Sequence, residues 1–150
     1  MNYDPLTGIF TWRARTGRSA AGNVAGNARD NGYWDIGVDG HTTRAHRLAW
    51  LYMTGEWPSA DVDHKNRDRR DNRWENLRAA TRSQNNANRV TTASHGFKGA
   101  TYNKRQGRWA AQTKFKGKPV YLGYYDTPEE AHAAYLAAAE RLWGEFARAA

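Results

Sequence analysis

The chain contains no cysteine. Disulfides and cysteine-ligated zinc are thereby excluded, and the composition fits an intracellular protein. No apolar run approaches the roughly 18 residues that a membrane helix needs, so no membrane association is expected. The opening residues, Met1-Asn2-Tyr3-Asp4-Pro5, lack a basic stretch leading into an apolar one, and no secretory signal is expected. Internal repeats and a low-complexity tail are also missing. One absence is local. Residues 93–122 contain no aspartate or glutamate, yet they hold seven basic residues: Lys98, Lys104, Arg105, Arg108, Lys114, Lys116 and Lys118.

What is present is a polar chain with a large aromatic content. Hydrophobic residues make up 39% of the 150, with seven tryptophans and eight tyrosines, which is too aromatic for a disordered chain. Net charge is +8, from 23 Lys+Arg against 15 Asp+Glu. A basic surface of this kind is compatible with a polyanionic partner, and equally with a merely soluble basic protein.

Two units are expected, 1–92 and 96–150, with a polar seam around Thr91-Thr92-Ala93-Ser94-His95-Gly96. In the first, Asp4-Pro5-Leu6-Thr7-Gly8 reads as a turn and Ile9–Arg13 as a strand. A loop covers roughly 16–32. Tyr33–Val38 alternates like a half-buried strand, Asp39-Gly40 signals a hairpin, and His41–Arg44 returns. Ala45, Leu48, Ala49 and Tyr52 fall at helical spacing, with Gly55 and Pro58 ending the helix. Val62-Asp63-His64 and Leu77–Ala80 read as strands joined by a charged loop. Thr81-Arg82-Ser83-Gln84 matches a capping box, so a helix is expected from Thr81. In the second unit, strands are expected at Lys98–Tyr102, Arg108–Lys116 and Val120–Gly123. A helix capped at Thr127 follows, with Ala131, Tyr135, Ala138, Leu142 and Phe146 as its apolar stripe.

The chemistry centres on Asp63-His64, with Asn76 and Asn85 downstream. Phosphodiester cleavage needs an activated water, in-line geometry and stabilisation of the leaving oxygen. Free imidazole titrates near 6.5, so His64 can take a proton from water at neutral pH. A carboxylate with an amide oxygen is hard-ligand chemistry, suited to Mg²⁺ or Mn²⁺. Arg67, Arg69, Arg70, Arg73 and Arg78 crowd the intervening segment. They could meet phosphates, or form a solvated charge balanced by Asp68, Asp71 and Glu75.

Val62-Asp63-His64-Lys65-Asn66, Asn72, Asn76-Leu77-Arg78 and Gln84-Asn85-Asn86-Ala87-Asn88 resemble the HNH (His-Me finger) endonucleases of the phage and homing type. His46-Arg47-Leu48-Ala49-Trp50 resembles the segment preceding that motif, and the resemblance spans roughly 3–90. It implies an N-terminal ββα-metal core at about 60–90, preceded by a hairpin and helix. His64 would be the general base, Asn76 would fix it by bridging the loop backbone, and Asp63 and Asn85 would hold one divalent ion. His46, Arg47 and Asn88 are read as supporting residues.

Strand Arg108–Lys116 separates by alternation. Trp109, Ala111, Thr113 and Phe115 face one way, while Arg108, Ala110, Gln112, Lys114 and Lys116 face the other. Covering the aromatic side with the helix leaves a basic sheet face of the width that fits a major groove. Lys98-Gly99-Ala100, Gly107–Ala111, Tyr121–Thr127, Glu130-Ala131 and Ala134-Tyr135 resemble the DNA-binding domain of plant ethylene-response factors (AP2/ERF). That resemblance implies DNA contact by Lys98, Arg105, Arg108, Gln112, Lys114 and Tyr121, and Lys116 on the same basic face is expected to join them. Thr101 and Pro119 stand where the plant domains usually place arginines, so a looser sequence preference is expected.

The combined expectation is an α+β chain: a His-Me finger domain followed by a three-stranded antiparallel sheet packed on one helix. The resemblances imply a cytoplasmic, nucleoid-associated endonuclease that nicks double-stranded DNA as a monomer or weak homodimer. The competing expectation is a non-catalytic DNA-binding regulator on the same scaffold.

Overall fold

The computed structural model describes residues 1–89 and 94–147. Val90, Thr91, Thr92 and Ala93, which hold much of the expected seam, lie outside the described residues. The chain divides into two compact units, Met1–Ala80 and Thr81–Ala150.

The first unit opens with a hairpin of β1 (Asn2–Asp4) and β2 (Ile9–Thr11), Tyr3 facing Phe10. The turn between them is held by the Asp4 carboxylate, which accepts from the Leu6 N–H at 2.9 Å and the Thr7 hydroxyl at 2.8 Å. Gly8 ends the turn at φ 74°, and a Cβ there would fall 2.5 Å from the backbone of Asn72 and Arg73. Only glycine lets this turn press on the backbone near residue 72.

A second sheet runs in the order β3 (Asn27–Ala28), β4 (Trp34–Val38), β5 (His41–Arg44). The Asp39-Gly40 turn has positive φ at both residues, as a tight I′ hairpin requires. Helix α1 (Ala45–Thr54) follows directly and ends at Gly55. Strands β6 (Asp61–His64) and β7 (Leu77–Ala80) then pair antiparallel.

The core comprises Tyr3, Phe10, Ala25, Ile36, Ala45, Ala49, Val62 and Leu77. Tyr3 stacks on Phe10 at 4.6 Å between centroids. Its hydroxyl donates to the Asn72 carbonyl at 2.7 Å. Burial, with Asp4 and Asp71 nearby, pushes this phenol up to about 12, so it remains a donor at all working pH values. Two strands were not expected, β1 and β3. Both are short, and β3 is placed by tertiary contact: Ala25 is wholly buried and its carbonyl accepts from the Trp34 indole at 2.8 Å.

The second unit begins with α2 (Arg82–Asn88), capped by Thr81. Thr81 Oγ1 accepts from the Gln84 N–H at 3.3 Å, and Gln84 Oε1 accepts from the Thr81 N–H at 2.8 Å. Strands β8 (Ala100–Asn103), β9 (Arg108–Phe115) and β10 (Lys118–Tyr125) form an antiparallel sheet with β9 central. Helix α3 (Pro128–Trp143) packs on one face, with Ala131, Tyr135, Ala138, Ala139 and Trp143 buried. Trp143 takes the place expected of Leu142, because it stands four residues after buried Ala139 and offers far more apolar area. Alanines let helix and sheet approach closely. At Gly99, φ 80°, a Cβ would fall 2.2 Å from the Tyr135 ring. Helix α2 packs against α3 and the 3₁₀ turn Gly144–Phe146, which places it in this unit. Among the described residues no helix is long and apolar enough to cross a membrane.

Candidate active site

β6 presents Asp63 and His64 consecutively, and the register sets Arg78 opposite Asp63 and Leu77 opposite His64. Neighbouring residues on a strand point to opposite faces. Here both are buried, Asp63 at 5% exposure and His64 at 4%. Arg78, itself 8% exposed, donates from Nε to Asp63 Oδ2 at 3.0 Å and sets Nη2 2.9 Å from the same oxygen. Arg78, expected at a phosphate, is therefore the buried partner of Asp63. Cross-strand register, which composition does not reveal, decides this.

Asn76 staples the loop after His64. Its Oδ1 accepts from the Asn66 N–H at 3.0 Å, and its Nδ2 donates to Asn66 Oδ1 at 3.0 Å and to the Asp71 carbonyl at 2.7 Å. Its own carbonyl accepts from the Lys65 N–H at 2.8 Å. The closed loop brings Asn72 Oδ1 to 3.3 Å from His64 Nε2, while Asn72 Nδ2 donates to the Arg70 carbonyl at 3.1 Å. That second bond turns the amide oxygen toward His64, an arrangement that favours a proton on Nε2. Asn72 stood in the sequence motif without an assigned role; its place between Asn66 and Asn76 was the available signal.

Behind His64 lies His46, on the first turn of α1, with ring centroids 4.9 Å apart. Tyr33 approaches both, at 5.3 Å from His46 and 6.2 Å from His64. His46 is buried, and among the described residues its Nδ1 has no hydrogen-bond partner. Burial, then the neighbouring His64, Arg47 and Arg44, push its pKa down to about 3, with Asp35 opposing. Burial also lowers the pKa of His64, partly offset by the bond to Asn72 and by Asp63, Asp68 and Asp71. Both imidazoles are neutral at neutral pH. His64 is thus held in its neutral form, as a base requires.

The remaining loop arginines differ in surroundings. Arg73 is held by Asp71 at 2.7 Å and Glu75 at 3.0 Å. Hydrogen bonding from Arg73 in turn holds the Asp71 carboxyl down to about 2. Arg67 adopts φ 68° and donates its N–H to the His64 carbonyl at 3.0 Å. Arg69 and Arg70 are exposed. Arg47 reaches the Pro58 carbonyl at 3.4 Å. Among the described residues, no group of three or more His, Asp or Glu side chains is assembled to hold a metal.

In the second unit the outer sheet face carries exposed Arg108, Gln112, Lys114 and Tyr121, with Arg105 and Lys116 exposed in the turns. Arg108 pairs with Asp126 at 2.9 Å. Asn85 is half-buried on α2 and Asn88 is buried. Lys98 differs from its expected part in DNA contact. Its ammonium donates to the carbonyls of Asn86, Ala87 and Arg89, at the carboxyl end of α2.

Residues 43–87 match the family model described as HNH endonuclease, and residues 95–145 the one described as AP2 domain. The chain carries an HNH endonuclease domain followed by an AP2 domain. No solved structure was found to match it. The HNH match runs from β5 through β6 and β7 into α2, so it extends past Ala80 into the second compact unit. The AP2 match covers the three-stranded sheet and all of α3. Together the two matches mark a nuclease with a DNA-binding module.

The histidine pair of the HNH domain makes its stability depend on pH. Unfolded, His46 titrates near 6.5; folded, near 3. Between those values the unfolded chain binds a proton that the folded chain does not, so stability falls as pH drops through the window. The slope is about 1.4 kcal/mol per pH unit for a fully shifted group, and His64 adds in the same direction. Denaturant unfolding at about pH 7 and about pH 5 should show the wild type losing ~2 kcal/mol more than His46→Leu. Equal losses would show that His46 is not held neutral.

Proposed function

We propose that this chain is a divalent-metal-dependent DNA endonuclease in which His64 is the general base of a ββα-metal core spanning about 60–90. The observation that carries this is His64 itself: buried, its pKa lowered, its Nε2 3.3 Å from Asn72 Oδ1, in a loop stapled by Asn76. His64 Nδ1 takes a proton from water, the water oxygen bonds to phosphorus, and the bond to the 3′ oxygen breaks. That oxygen acquires a proton from solvent, leaving a 5′-phosphate and a 3′-hydroxyl. Asn76 acts through the loop backbone by keeping the imidazole in place.

Asp63 and Asn85 would hold one Mg²⁺ or Mn²⁺. Their donor chemistry, one carboxylate and one amide oxygen, fits a hard cation whose shell is completed by water and substrate phosphate. The ion would supply Lewis-acid stabilisation of the charge developing on the phosphate and leaving oxygen. Arg78 holds Asp63 in a fixed position on β6.

The AP2 domain, read as 96–150 beside an HNH domain at 1–92, supplies the DNA. Arg105, Arg108, Gln112, Lys114, Lys116 and Tyr121 lie exposed on or beside its open sheet, and a strand face of this width suits a duplex groove. One base per chain favours a nick by a monomer. The deciding experiment is incubation of supercoiled plasmid with the protein in Mg²⁺, Mn²⁺ or EDTA. Relaxed circles should appear with either metal and not in EDTA. A gel shift with intact plasmid in all three would leave the non-catalytic DNA-binding regulator as the correct reading.

A further inference from the structure

Among the loop arginines near His64, Arg69 is engaged by a distant part of the chain, the 31–33 segment. Its Nη1 donates to the Asn31 carbonyl at 2.8 Å, its guanidinium lies over the Tyr33 ring at 4.9 Å, and a Cβ placed on Gly32 would meet its Cδ at 3.7 Å. The 29–33 turn that receives it is itself closed. Arg29 N–H donates to the Tyr33 carbonyl at 2.8 Å, and Asn31 Oδ1 accepts from the Tyr33 N–H at 3.2 Å. Arg44 also lies over the Tyr33 ring, at 4.5 Å, and its charge is met by Asp35 at 3.0 Å. Arg69 has no such counter-ion: among the described residues it makes no ion pair. It is therefore an exposed guanidinium whose position is fixed by a carbonyl and a ring, neither of which neutralises it.

That combination suits a phosphate. Holding a long side chain in place before binding removes most of the rotamer entropy that a phosphate contact would otherwise cost. With Nη1 on the Asn31 carbonyl, the guanidinium still has N–H donors on Nε and Nη2 with which to meet phosphate oxygens. The Tyr33 ring that carries Arg69 also sits 6.2 Å from His64, so the clamp is built onto the base's own surroundings. We propose that Arg69 is the residue that grips a backbone phosphate beside the scissile one, and that Tyr33 is its positioning residue. This rests on the nuclease reading for its effect on rate, while the binding effect stands without it.

The test has two arms on the full chain. In the first, DNA affinity is measured against salt for the wild type and Arg69→Ala. Losing one phosphate contact should lower the slope of log K against log salt by about 1. In the second, steady-state cleavage is measured for Arg69→Ala, Tyr33→Leu, Tyr33→Phe and the Arg69→Ala/Tyr33→Leu double variant. Removal of a charge-assisted bond should reduce kcat/KM about 10- to 100-fold in Arg69→Ala. Tyr33→Leu should lose a comparable factor alone and nothing further in the double variant, while Tyr33→Phe, which keeps the ring, should recover most of it. An unchanged salt slope in Arg69→Ala overturns the clamp. Additive losses, or equal losses in Tyr33→Leu and Tyr33→Phe, overturn the role of the ring. A wild type that binds but does not cut defeats the nuclease reading, and the salt slope still decides for Arg69.

Discussion

His64→Ala is expected to reduce plasmid cleavage by roughly 10²- to 10⁴-fold while leaving the gel shift in place. General-base catalysis accounts for the size: without the imidazole, water must be deprotonated by solvent alone. The retained gel shift follows because the exposed cations of the AP2 sheet are untouched. Alanine in a site of 4% exposure also leaves a void, so His64→Gln provides a companion of similar reach. Both variants should lose cleavage, and unfolding curves should report how much stability each one loses. Cleavage within tenfold of wild type in either would remove His64 as the base. The lowered pKa of His64 adds a second reading of the same experiment. The acidic limb of the wild-type rate profile should lie below the free-imidazole value near 6.5.

Much of the architecture is visible in local patterns, because local patterns set it. The Asp39-Gly40 hairpin, the two capping boxes at Thr81 and Thr127, and the period-2 alternation of Arg108–Phe115 each depend on residues a few positions apart. The parts that escaped depend on distant ones. Strand β3 exists because Ala25 is buried and bonded to Trp34, and nothing between 16 and 32 announces it. The site shows the same division. Asp63, His64, Asn76 and Asn85 stand out as a spaced set. Their partners do not: Asn72 meets His64 only after Asn76 has closed the loop, and Tyr33 reaches it from another sheet. Charge density alone treats Arg67, Arg69, Arg70, Arg73 and Arg78 alike. The fold sets three of them apart: Arg78 as a buried partner, Arg73 as a carboxylate-bound surface residue and Arg69 as a ring-stacked one.

Arg78→Leu provides the clearest measure of that separation. It should destabilise the HNH domain by about 3–5 kcal/mol, because it strips a buried carboxylate of the guanidinium set against it. A phosphate contact on the surface would behave differently: its loss would weaken DNA binding and its salt dependence, with unfolding nearly unchanged. Denaturant titrations of the free protein separate the two at once, since no DNA is present. The double variant Asp63→Leu/Arg78→Leu removes both charges and leaves apolar groups across the same register. It should recover most of the lost stability while remaining inactive. A divalent ion sharpens the comparison further. If Asp63 is a ligand, Mg²⁺ or Mn²⁺ should raise the unfolding midpoint of Arg78→Leu more than that of the wild type, because the ion takes over the charge that Arg78 carried. No such gain should appear in the double variant, where the carboxylate is gone. A metal effect equal in all three proteins would place the ion elsewhere.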